Sequence, residues 1–117
     1  MNIAQTIISA LAFAGCPVVQ QSYAGDEETY IVFRLDHSPS DFANDSPQHD
    51  VVSVSMHLFA PFTFNTKTMR KRIRKSLFDA GFTYPETIDV SSTQRTSDGT
   101  EQHIVFEFEI AEGIDDV

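Results

Sequence analysis

Three stretches of this chain alternate apolar and polar residues with a period of two, and that alternation restricts the fold more than any other feature. In VVSVSMHLF (51–59), Val52, Val54, Met56 and Leu58 share one face, and Ser53, Ser55 and His57 the other. TYIVFRLD (29–36) sets Ile31, Phe33 and Leu35 against Tyr30, Val32 and Arg34. HIVFEFEI (103–110) puts Ile104, Phe106, Phe108 and Ile110 on one side and leaves Glu107 and Glu109 outward. Successive side chains of a strand point to opposite faces, so each stretch reads as a half-buried strand. CPVVQQSY (16–23) and the segment from Ile88 and Val90 towards Arg95 are candidates for shorter strands. Ser97-Asp98-Gly99 is a hairpin turn before the last long strand.

Two helices complete the count. Residues 2–14 carry Ile3, Ile7, Leu11 and Ala14 at helical spacing. Gly15 stands in the stop position, and Pro17 cannot continue a helix. Asn65 or Thr66 caps a second helix, which buries Met69, Ile73 and Leu77 and ends near Ala80-Gly81. The predicted order is α-β-β-β-α-β-β. That order gives an α+β fold, a largely antiparallel sheet of four to five strands with both helices packed on one face. At 117 residues the chain is a single domain, 1–117. HSPSDFANDSPQHD carries two prolines and many turn formers, so 36–50 reads as a long loop. The polar end of the chain, 111–117, reads as a frayed tail.

Charge narrows the function. Eight Lys and Arg against 17 Asp and Glu give a formal net charge of −9. Phosphate binding needs a basic footprint, so a nucleic-acid-binding module is disfavoured. Yet six of the eight basic residues lie between Lys67 and Lys75. An acidic body with one basic helix is able to associate with copies of itself, basic face to acidic face; the alternative is a solvated helix face. No apolar run approaches the length of a membrane span.

The run ending Phe13-Ala14-Gly15-Cys16 has the outline of a lipoprotein cleavage site. A secretory signal needs a positive start and an unbroken apolar core. Here the first basic residue is Arg34, and Asn2, Gln5, Thr6 and Ser9 interrupt the run. A mature amphipathic helix is the better reading, with Cys16 a buried, inert thiol. One cysteine excludes an intramolecular disulfide and cysteine-based metal clusters.

Catalytic, cofactor and metal-binding residues are not expected. His37 and His49 share their segment with Asp36, Asp41, Asp45 and Asp50, but without the regular spacing of a cation loop. His57 and His103 fall on polar strand faces, where a cross-strand packing role is the simplest reading. Glu107 and Glu109 are outward positions of one strand, a solubility device. No glycine-rich phosphate loop appears.

The order of segments carries one further signal. GCPVVQQSYAGDEETYIVFRLD is followed by DFANDSP, VSVSMHLFAP, KTMRKRIRKSLFDAGF and QHIVFEFEI. This succession resembles the small tail-completion or tail-terminator proteins of long-tailed bacteriophages and prophages. It covers the chain from about Ile3 to Ile110, with Asn44 a departure where the family often has aspartate. The resemblance implies a non-enzymatic subunit without cofactor. Such subunits form a hexameric ring on the head-proximal end of the tail tube, stop tube growth and dock the head-completion or connector protein. DNA would pass through the lumen without specific binding, and an acidic lumen would let it slide. The implied location is the virion tail, and the host cytoplasm during assembly, with no membrane partner. On this reading Lys67, Arg70, Lys71 and Arg74, with Arg72 beside them, belong to a subunit contact. Phe42, Asp45 and Asp50 belong to a contact with the tube or connector. The alternatives are another neck component such as a head–tail adaptor, a small secreted or lipid-anchored binding domain if Cys16 is lipidated, and a small enzyme if the histidine loop binds a divalent metal.

Overall fold

A computed structural model describes residues 2–43, 46–91 and 101–113, with backbone alone at 38–43, 46–50 and 112–113. The fold is α+β: a five-stranded mixed sheet and two α-helices. Helix α1 (Ile3–Ala10) opens on Asn2, whose side chain accepts from the Gln5 N–H at 3.0 Å. Its last turn tightens into a short 3-10 helix (Ala12–Ala14), because Gly15 at φ 69° turns the chain out of the helix. Strands β1 (Val18–Gln20), β2 (Tyr30–Ala43) and β3 (Ser46–Pro61) follow, then α2 (Lys67–Asp79), β4 (Glu86–Asp89) and β5 (Glu101–Gly113). Spatial order is β1-β2-β3-β5-β4, antiparallel except for the parallel pair β1–β2.

The alternating stretches pair in register, so each apolar set forms rungs across three strands. Ile31, Leu58 and Ile104 make one rung; Phe33, Met56 and Phe106 the next; Leu35, Val54 and Phe108 a third. Ile3, Ile7 and Leu11 of the first helical segment and Ile73 and Leu77 of α2 cover this face and are buried with it. The two helices are tied where the Ser76 hydroxyl donates to the Ala10 carbonyl at 2.6 Å. Burying apolar area on this scale is the main force holding such a domain together.

The expected long loop over 36–50 is corrected. β2 and β3 run on as a hairpin, His37 opposite Val52 and Ala43 opposite Ser46. The prolines do not prevent this. Ile31 N–H and Phe33 C=O point towards β1, so by alternation Pro39 lies at an outward position of β2, where its missing N–H removes no ladder bond. Pro47 lies beyond the last β3–β5 pair, His49 with Gly113. The expected frayed tail is corrected in part: Ala111–Gly113 continue β5 against His49–Val51. The strand after α2 is Glu86–Asp89. The Ser97-Asp98-Gly99 turn and the segment towards Arg95 lie outside the described residues, as do 114–117.

Candidate functional site

The helices leave the other face of the sheet uncovered, and its outward residues change character from one end to the other. At one end aromatic rings stack. Gln21, at φ 80°, ends β1, and the chain brings Tyr23 back over the sheet. Tyr23 and Tyr30 have centroids 4.6 Å apart, Tyr30 and Phe59 5.0 Å, and Phe59 and His103 4.3 Å. The stack continues into a polar relay. His103 Nε2 and His57 Nδ1 are 2.6 Å apart, so one ring donates and the other accepts, and His57 Nε2 lies 3.3 Å from the Ser55 hydroxyl. Burial holds both imidazoles below the usual histidine range. Arg34 adds to this at His57 and Glu107 opposes it; at His103, His57 adds and Asp89 opposes. Asp89 itself is held below the usual carboxylate range by bonds from the Ser91 side chain and N–H.

This relay was only partly foreseen. The histidines were expected as packing neighbours, and β3–β5 register places Phe59 opposite His103 and His57 opposite Val105, which makes the rings diagonal partners. Ser55 was not singled out, although Ser55 and His57 at i, i+2 on one strand face was the available signal. The relay links two rings and a hydroxyl by hydrogen bonds. By the alternation described above, the Ser55 amide is committed to Arg34 across the β2–β3 ladder and does not point at the hydroxyl's surroundings as an oxyanion donor would.

At its other end the same face is charged. Asp36, Glu86, Glu107 and Glu109, with Arg34 the single cation among the described lining residues, line a trough of about 700 Å3 whose rim includes Tyr84. Tyr84 is 55% exposed and meets the equally exposed Phe78 edge-on at 5.8 Å.

The structure divides the basic helix. Lys67 and Lys71 are exposed. Arg70 and Arg74 are half-buried on the side facing β4: Arg74 donates to the Thr87 hydroxyl at 3.2 Å, and Arg70 interacts electrostatically with Asp89. Arg72 lies over the Phe13 ring at 4.2 Å, a cation–π contact, and Lys75 pairs with Asp79 at 3.0 Å. The β3–α2 connection is held by Gln102, whose amide donates to the Pro61 and Phe64 carbonyls at 2.8 and 2.6 Å and whose carbonyl accepts from the buried Thr66 hydroxyl. Phe62 and Phe64 remain 53% and 40% exposed beside it.

Of the expected tube or connector residues, Phe42 sits on β2 opposite Pro47, and Asp50 on β3 between Pro39 and Glu112. Asp45 lies outside the described residues. His37 and His49 fall three rungs apart on the hairpin. Among the described residues no three His, Cys, Asp or Glu side chains are grouped to hold a metal ion. Cys16 is half-buried against the core, and burial, with Glu27, pushes its thiol up. No described helix is long and apolar enough to cross a membrane. No protein-family model matches the chain, and no curated protein does.

Proposed function

We propose that the chain is a non-enzymatic subunit of a phage or prophage tail. In this reading six copies close a ring on the head-proximal end of the tail tube, end its growth and join it to the head. The observation that carries the reading is the placement of charge. Lys67 and Lys71 stand exposed on α2 of a chain whose net charge is −9, and the acidic trough opens on the opposite face of the sheet. A ring closes through unlike patches meeting around an axis, and opposite charge on opposite sides of one subunit suits that geometry. The order of sequence motifs across most of the chain supports the same family. The β2–β3 hairpin supports a second contact: it runs past Val52 and Ile110 to Ala43–Ser46 and carries the Phe42 and Asp50 positions. DNA would cross the lumen of such an acidic ring without adhering.

The test is tube growth. The purified chain is added to polymerising tail-tube protein from the same phage or prophage. Growth is expected to stop at amounts far below one subunit per tube subunit. Unchanged tube lengths at equimolar chain would refute the reading, and binding to the connector alone would point to a neck adaptor.

A further inference from the structure

Two surface patches are left unexplained by the packing of the monomer. The first is a knob on the β3–α2 connection: Phe62 and Phe64, both exposed aromatics, followed by exposed Lys67 and Lys71 one helical turn apart. The second is the acidic trough of Asp36, Glu86, Glu107 and Glu109 with exposed Tyr84 on its rim. We propose that the knob of one copy docks into the trough of the next, and that this head-to-tail contact is the one that closes the ring. The inference rests on the ring reading above and names the two surfaces that meet.

Three features lead to it. The knob is basic and aromatic, and the trough is acidic with an aromatic rim; buried aromatic anchors beside complementary charge are what strong protein contacts use. The trough, at about 700 Å3, has room for side chains of the knob's size. And a copy has no means of filling its own trough. The knob is anchored at Gln102 on the helix-covered side, while Glu107 and Glu109 lie further along β5. Glu107 and Glu109 stand five and seven positions along β5 from Gln102, about 17 and 23 Å, with the sheet between. Patches that complement each other but sit at opposite ends of one subunit generate a ring or an open chain of subunits. A second copy is also the partner that supplies both halves; an unrelated acidic protein would meet repulsion at the trough.

The test is sedimentation velocity at low ionic strength on five samples. Wild type is expected as a discrete closed oligomer that dissociates in about 1 M salt, where the screening length falls to about 3 Å. Lys67→Glu/Lys71→Glu, and separately Glu86→Lys/Glu107→Lys, are expected to be monomeric, since each places like charges across the contact. An equimolar mixture of these two variants is expected to regain the wild-type oligomer, because alternating copies make every contact complementary again. Lys75→Glu, on the same helix but outside the knob, is expected to leave assembly unchanged. The docking is overturned if either double variant alone keeps the wild-type oligomer. It is also overturned if the mixture stays monomeric although both variants keep the wild-type circular dichroism. In either case a ring is still present in wild type and the tail reading stands. Wild type that is monomeric at every concentration overturns the self-docking, and tube-growth arrest then decides the tail reading by itself.

Discussion

Replacing Ile7 by alanine tests whether the N-terminal segment is part of the fold or a removable leader. Ile7 is fully buried, on the same side of α1 as buried Ile3, one turn before buried Leu11. The change removes three carbon atoms, about 2.4 kcal/mol of transfer free energy at about 0.8 per carbon. It leaves a cavity between α1, α2 and the sheet that the surroundings fill only in part, which brings the expected loss to about 3–4 kcal/mol. Urea unfolding read by circular dichroism measures it, with the midpoint falling and the slope unchanged. Ser9→Ala, on the exposed side of the same helix, is the control and should stay within about 0.5 kcal/mol. A chain lacking residues 1–15 loses Ile3, Ile7 and Leu11 together, at about 2–5 kcal/mol each, which is comparable to the whole stability of a small domain. It is expected not to fold. Equal midpoints for Ile7→Ala and Ser9→Ala, or cooperative unfolding of the shortened chain, would refute the reasoning and return Cys16 to the lipid-anchor reading.

Because burial depresses both His57 and His103, the unfolded chain takes up protons there more readily than the folded one. Stability is therefore fully present above the ordinary histidine value of about 6.5 and falls as pH drops through it towards the folded values; the urea midpoint between about pH 7.5 and pH 5 should decline, and less so in His57→Phe/His103→Phe. Gln102→Leu strips the Phe64 carbonyl and the Thr66 hydroxyl of the Gln102 side chain and leaves the Pro61 carbonyl with the Phe64 N–H alone, with an expected loss of about 1–3 kcal/mol by urea unfolding. Arg72→Ala removes the cation over the Phe13 ring and should cost about 0.5–1 kcal/mol in the same assay.

Period-two patterning made the sheet legible. Each long strand shows its buried set, and the rungs Ile31–Leu58–Ile104 and Phe33–Met56–Phe106 follow once the strands lie side by side. The glycine stops were legible for the same local reason: Gly15 at φ 69° and Gly81 at φ 108° occupy conformations that side chains resist. The hairpin over 36–50 was hidden because its turn-forming residues outvote its neighbours locally. What carries it is the in-register continuation of β2 against β3, with β5 backing only His49–Val51, and that continuation follows from the strand pairing further along rather than from the residues of the segment itself. The parallel β1–β2 pair was equally non-local. In the candidate site, the basic helix was visible as a charge run, but its division was not. That Arg70 and Arg74 face β4 while Lys67 and Lys71 stand free depends on where β4 packs. The trough joins β2, β3, β5 and the residues before β4, so only tertiary structure assembles it.

Electron microscopy of tail tubes incubated with gold-labelled chain tests the central claim most directly. Label is expected at one end of each tube only, on a sixfold ring, with tubes that no longer lengthen when more tube protein is added. Label spread along the tubes, label at both ends, or unlabelled tubes that keep growing would contradict it.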